Sequence, residues 1–277
     1  MQMSKMQTLT GCFLVALCVS GSAAASASAA PPEVGRCQKV EPVQEGKKAR
    51  YHGAYTNRAC TKPSATDSGK FEWASGPGTD KTFTAVPNHT PTFETTGGKT
   101  VQCQSGEFKG AEYTGAKTEK FSGIKLVNCV NPAGRVCQTN PEDSSVIEDV
   151  APVEGELGVV AGGASPTVGW DLKDVLFVFV CADEAKTLEL GEDQVIEGSV
   201  IGVVRKSASD LNKMSGETQI EFEQAGGKQL PEAFEGGAKD TLTNTRLVGT
   251  DNSTEQMGLS ARESDTYGEP LEIRTVE

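Results

Sequence analysis

The sequence predicts a mainly β protein, an antiparallel sandwich or barrel-like set of modules stapled by disulfides. Three observations lead there. In a chain of 277 residues that is only 36% hydrophobic, 31 glycines and 13 prolines interrupt the sequence too often for long helices. Apolar residues alternate with polar ones or gather in short β-branched runs, and helical periodicity is weak throughout. Of the eight cysteines, six lie beyond an N-terminal segment with the pattern of an export signal.

Taken in order, that segment comes first. Lys5 precedes the apolar run Cys12-Phe13-Leu14-Val15-Ala16-Leu17-Cys18-Val19, a small-residue stretch follows, and Ala27-Ser28-Ala29 supplies an A-x-A site. Residues 1–29 therefore read as a signal peptide cleaved before Ala30. The run is too short to cross about 30 Å of hydrocarbon, so no transmembrane segment is expected in the mature chain. Leu9-Thr10-Gly11-Cys12 has the letters of a lipobox but stands before the apolar run, where a lipid-attachment site has no hydrophobic segment behind it.

Export leaves Cys37, Cys60, Cys103, Cys129, Cys137 and Cys181, an even number in a compartment where disulfides persist. Among the 15 pairings that six cysteines allow, the sequential set is expected, because each bond closes a short span within consecutive hairpins. No C-x-x-C occurs, and neither His52 nor His89 stands in ligand spacing to a cysteine, so no structural metal and no cofactor is expected.

Charge divides what remains. Residues 30–140 hold 15 basic and 10 acidic residues, whereas 141–277 hold 10 basic and 28 acidic, with the change near Asn140-Pro141-Glu142-Asp143. A basic, cysteine-containing β module over 30–140 and an acidic β module over 141–277 are expected, or one continuous domain. The overall charge of −12 argues against a nucleic-acid partner.

Phe71–Trp73, Thr82–Val86, Thr92–Thr95, Thr100–Cys103 and Ile124–Cys129 are strand-like, with Gly97-Gly98 as a hairpin turn. Ile220–Glu223 and Leu271–Arg274 alternate as half-buried strands do. Val175–Cys181 is continuously apolar and suggests a central strand covered on both faces. The best candidate for a helical turn is Pro231–Phe234.

Chemistry is harder to find. Gly98-Lys99-Thr100 has the end of a phosphate-binding loop, but Phe93 occupies the position of its first glycine. Ser122-Gly123-Ile124-Lys125 spaces a serine and a lysine for one helical turn, yet its residues read as strand, where the two side chains point apart. Asp67-Ser68-Gly69 reads as a turn. Carboxylates are abundant, and Glu154, Glu156, Asp171 and Asp174, beside Trp170, are the pairs that could hydrolyse a glycoside in a groove with an aromatic platform. Lys47, Lys48 and Arg50 form a basic cluster that would attract an anionic polymer more strongly than Lys228, Lys239 and Arg246 in the acidic half.

Pro32–Cys37, Cys60-Thr61-Lys62, Lys70–Trp73, Phe93-Glu94-Thr95, Val101-Gln102-Cys103, Gly110–Gly115, Lys213-Met214-Ser215, Gly227-Lys228-Gln229, Phe234–Gly237 and Glu269–Ile273 together resemble a group of uncharacterised exported proteins of Thermoleophilia-type actinobacteria. The resemblance spans nearly all of the mature chain. It implies a bacterial source, export and a β-rich fold, and it brings no activity or site residue with it. The expected function is a secreted or cell-surface protein of the envelope, binding or structural rather than catalytic, that meets a cell-wall polymer or another exported protein. The alternative is a secreted, carboxylate-dependent glycan hydrolase.

Overall fold

A computed structural model describes residues 32–149, 151–161, 167–182, 193–206, 208–248 and 251–275. The expected signal segment, 1–29, lies outside the described residues. In chain order the first strands are β1 (Glu33–Lys39), β2 (Val43–Glu45), β3 (Lys48–Arg50), β4 (Phe71–Ser75), β5 (Phe83–Thr95) and β6 (Thr100–Lys109). Then follow β7 (Glu112–Tyr113), β8 (Thr118–Phe121), β9 (Gly123–Val130), β10 (Val136–Gln138), β11 (Val146–Glu148) and β12 (Val153–Ala161). The last group is β13 (Thr167–Ala182), β14 (Asp193–Val204), a short helix α1 (Ala208–Leu211), β15 (Ser215–Ala225), β16 (Lys228–Leu230), β17 (Leu242–Val248) and β18 (Asp251–Arg274).

Every pairing between these strands is antiparallel, and the pairings close on themselves. One closed ring of eight runs β17, β18, β5, β6, β9, β10, β13, β14 and back to β17. The four longest strands continue past that ring and build a second. There β18 pairs with β15 over Glu217–Phe222, β15 with β14 at Val203 and Val204, β14 with β13, β13 with β12, and β12 with β8 and β7. The bridge between Thr82 and Glu112, flanked by Phe83 N–H to Ala111 O at 3.1 Å and Tyr113 N–H to Lys81 O at 2.8 Å, joins β7 to the start of β5. Two eight-membered rings thus share β5, β13, β14 and β18. Strands from both sides of the charge boundary near residue 140 close the first ring together, β5, β6, β9 and β10 from before it and β13, β14, β17 and β18 from after it.

All four shared strands bend where one ring passes into the other. The register shifts on β5 between Ala85 and Thr92, on β13 between Leu172 and Val175, and on β18 near Ser260–Glu263. Bulges of this kind add local twist and let a sheet curl shut. Pro87 and Pro91, which cannot donate to a ladder, fall in the irregular stretch of β5. On β14 the break is Gly198, at φ +128°, where a Cβ would meet the Thr241 carbonyl at 2.1 Å.

Alternation puts Phe93, Phe177, Leu242, Met257 and Ile196 inside the first ring and Phe83, Phe121, Trp170, Ile220 and Phe222 inside the second, all buried. The interior is filled: the cavity bounded by Phe93, Phe108, Leu172 and Phe177 measures about 30 Å³, room for about one water. Outward positions of β18 are Gln256, Ser260, Ser264 and Thr266, all polar. Among the described residues no helix is long and apolar enough to cross a membrane.

Three disulfides form, Cys37–Cys60, Cys103–Cys129 and Cys137–Cys181, the sequential set. The last two join residues directly opposite each other on β6/β9 and β10/β13, within the wall of the first ring. Cys37–Cys60 packs with Trp73, Tyr55 and Phe71 in a small separate core, under a strap in which β1 adds to the end of β18 and β4 adds to β1. A buried ion pair seals the strap: Arg274 donates to Glu33 at 2.5 Å and to the Tyr55 hydroxyl at 3.0 Å, lies 4.8 Å from the centre of the Trp73 ring, and Glu33 also accepts from Ser75 at 2.6 Å.

Two local expectations are corrected. Val175–Cys181 is not covered on both faces: Val175, Phe177 and Phe179 point into the ring, whereas Val178 is 37% exposed. A closed ring buries one face of a strand, and the apolar residues on the other face remain at the surface. Pro231–Phe234 is not helical; Pro231 follows a cis peptide bond after β16, and among the described residues the one helical turn is α1, which the sequence does not mark.

Candidate functional site: the open end of the first ring

The expected basic cluster is brought together on an exposed hairpin. Lys47 lies in the turn between β2 and β3, and Lys48 and Arg50 on β3 itself. Glu45 takes part of its charge, receiving Arg50 at 3.1 Å and His52 at 3.1 Å.

A second basic site lies at the opposite end of β18. The hairpin adjoins the strap, which pairs at Glu272, whereas Glu255 lies at the open end of the first ring. Seventeen positions of the bent strand separate them, at most about 55 Å along its length at about 3.3 Å per residue. The opening is a pocket of about 320 Å³, with Val101, Phe179, Cys181 and Met257 as an apolar floor and Lys99, Asn131, Arg135, Gln194, Asn244 and Arg246 as a polar wall. Lys99 donates to Glu255 at 2.9 Å, which holds that carboxyl below the usual range. Lys99, Arg135 and Arg246 all line this opening. An apolar concavity with a few converging polar groups at the mouth of a barrel is a common form of ligand site.

Sequence reading places Arg246 among background charges of the acidic half. Its function at the rim follows from its place on β17, where Leu242, Asn244 and Arg246 point inward in succession. The legible signal is an alternating strand whose inward residue turns from apolar to polar at one end. That pattern marks a strand leaving a core, and it becomes a pocket wall only when the ring closes.

The second ring holds a different group. Glu119 on β8 and Glu263 and Asp265 on β18 are buried together with Tyr113, Tyr267 and Thr218. Burial raises all three carboxyls, that of Asp265 to about 8; repulsion from Asp265 raises Glu263 further, and repulsion from Asp265 and Glu263 raises Glu119 further, so burial favours the protonated form of each. Glu119 Oε2, Glu263 Oε2 and both Asp265 oxygens have no hydrogen-bond partner. Among the described residues no three His, Cys, Asp or Glu side chains stand where they could hold a metal ion together.

The carboxylates singled out for glycoside chemistry are partly gathered. Glu156 lies opposite Asp171 across β12 and β13, and both contact Lys173. Asp171 is buried beside Asp240, and burial followed by repulsion from Asp240 lifts it to about 6. A groove of about 700 Å³ lined by Lys173, Asp174, Ser199, Lys239 and Asp240 runs past it, and Ser199 donates to Asp240 at 3.1 Å. Trp170, one residue from Asp171, points the other way. It is 1% exposed, its ring 5.9 Å from that of Tyr113 inside the second ring, so no aromatic platform faces these acids.

The chain matches no protein-family model, and neither a curated protein nor a solved structure matches it. The three disulfides are those of a protein that matures in an oxidising compartment.

Proposed function

We propose that the protein is a secreted or cell-surface binding protein of the cell envelope, non-catalytic, which takes an anionic component of the wall polymer into the open end of its first ring. The observation that carries this reading is the pocket itself, an apolar floor beneath Lys99, Arg135 and Arg246 in a molecule of net charge −12. Opposite charges attract over about 8 Å at physiological salt, so an anionic polymer approaches this opening while the surrounding acidic surface repels it. The Lys47, Lys48 and Arg50 hairpin is a second point of contact for the same polymer. Retention of residues 30–277 on purified, insoluble cell wall tests the reading. Retention that weakens with salt, and weakens with Arg135→Glu or with Lys47→Glu/Lys48→Glu/Arg50→Glu, is expected; equal retention of all three proteins at low and high salt overturns it.

The hydrolase reading draws on one observation, the raised carboxyl of Asp171 with Asp240 along a groove. It calls for release of reducing ends from wall glycan that Asp171→Asn abolishes. The inward position of Trp170 weighs against it.

A further inference from the structure

We infer that a pocket beside the strap, at the far end of β18 from the opening, binds a free α-amino acid by its ammonium and its carboxylate together. This site is separate from the open end of the first ring and does not rest on what binds there. It measures about 320 Å³ and is lined by Arg58, Ala59, Asn212, Lys213, Met214 and Glu272. Three parts of the chain meet in it: the loop between β3 and β4, the turn between α1 and β15, and the last stretch of β18.

Glu272 supplies the specific element. It is 2% exposed; its Oε1 accepts from the Cys37 N–H at 3.0 Å, while its Oε2 is buried and accepts from nothing among the described residues. Buried acceptors are seldom left bare, and a positively charged donor completes a carboxylate best. Burial holds this carboxyl above its ordinary range, against the Cys37 N–H and Arg58, which lower it.

Arg58 supplies the opposite charge. It lines the same pocket and acts on Glu272 through its charge, yet among the described residues its side chain forms no hydrogen bond or ion pair with Glu272 or with any other group. Lys213, the other cation in the lining, is held by Asp210 at 2.6 Å. The loop that carries Arg58 is tied down on both sides of it. Asn57 Oδ1 accepts from the Thr61 and Lys62 N–H groups at 3.1 and 2.8 Å, its Nδ2 donates to the Thr61 hydroxyl at 2.8 Å, and Cys60 is bonded to Cys37, whose N–H orients Glu272. One disulfide thus anchors both charged walls.

Opposite charges that line one pocket and stay unpaired leave a gap, and a ligand with both charges on one carbon closes it. The α-carbon of an amino acid carries an ammonium for Glu272 and a carboxylate for the Arg58 fork, and its side chain lies against Ala59 and Met214. A simple anion is repelled by Glu272, and a simple amine by Arg58. The volume is near the small end of ligand sites, suited to one residue rather than a chain of them.

The test varies the ligand first, so that it does not depend on a variant that fails to fold. Binding of L-leucine to the intact chain is measured by calorimetry, alongside L-leucinamide, which lacks the carboxylate, and N-acetyl-L-leucine, which lacks the ammonium. Leucine is expected to bind, and each derivative to bind about tenfold more weakly or worse. Arg58→Gln, an exposed change that should leave the unfolding midpoint in place, should shrink the preference for leucine over leucinamide severalfold and keep the preference over N-acetyl-leucine. Glu272→Gln, which retains an acceptor for the Cys37 N–H, should do the reverse. Equal binding of leucine and either derivative, no binding of leucine, or an unchanged preference over leucinamide in Arg58→Gln overturns the inference.

Discussion

The two rings share four strands and differ in what those strands carry inward. Along β18 the inward residues Met257, Leu259 and Ala261 belong to the first ring, and Glu263, Asp265 and Tyr267, on the same face of the same strand, belong to the second. The first ring is apolar inside, crossed by two disulfides in its wall, and open at its end. The second is closed over by β7, β8 and β12 and holds three carboxyls away from water. A polar group is inexpensive at an opening, where solvent or ligand satisfies it, and expensive in a closed interior, where it must shed its charge. The same alternation therefore produces a ligand wall at one end and a proton-holding interior at the other.

Four measurements probe this contrast. The second ring binds protons that the unfolded chain releases, since Glu119, Glu263 and Asp265 all have folded pKa values above their unfolded ones. Their stabilisation is complete below about pH 4 and is lost as pH rises through those raised values, about 8 for Asp265. Moving that one group from about 3.9 to about 8 corresponds to at most about 6 kcal/mol. The urea midpoint should fall between pH 5 and pH 9, and Asp265→Asn should flatten the fall; a flat wild-type profile would show that the interior is not closed.

Removing one partner of the buried pair in the strap comes next. Arg274→Met removes the cation paired with buried Glu33 and should destabilise by about 3 to 5 kcal/mol. Glu33→Gln/Arg274→Met should recover part of the loss, and an additive double variant would contradict the pairing.

In the first ring, Cys103→Ala/Cys129→Ala removes a cross-link from the wall and should cost about 3 kcal/mol. Ligand binding at the open end should weaken along with stability, because the floor residue Val101 lies two positions from Cys103 on β6. Removal of Cys37–Cys60 should instead leave binding at that end intact. Equal effects of both removals on binding would mean that the strap and the opening are not separate.

The smallest effect belongs to the hairpin. Charge reversal at Lys47, Lys48 and Arg50 should change the unfolding free energy by less than about 0.5 kcal/mol, as exposed substitutions away from special backbone positions do. A larger loss in thermal unfolding would give the hairpin a structural role that its exposure does not suggest.

Much of the local structure is legible in the sequence. Phe71–Trp73, Thr92–Thr95, Thr100–Cys103 and Ile124–Cys129 fall in strands, and the turn at Gly98, φ +79°, needs the residue it has. The 24-residue β18 shows in the sequence only at its end, Leu271–Arg274. Gly258, Ser260, Ser264 and Gly268 within it have weak strand preference, and their conformation is imposed by β5, β15 and β17 pairing alongside. The pocket is legible only as separate residues. Lys99 belongs to a failed phosphate-loop motif, Arg246 is one charge among many, and Asn244 is an ordinary polar residue on a strand.

The class of fold and the division of charge were legible in the sequence, because they depend on residue type and short spacing, turn formers and alternating apolar positions; spacing also pointed to the sequential cysteine pairing, which the register of β6 with β9 and of β10 with β13 then brought about. Tertiary structure decided which carboxylates lose their protons and which keep them, which arginine stands at a rim, and which way Trp170 faces. Those outcomes depend on ring closure, which joins residues far apart in the chain, such as Phe83 on β5 and Tyr267 on β18. Alternation gives every strand two faces, and only closure determines which of them is the inside.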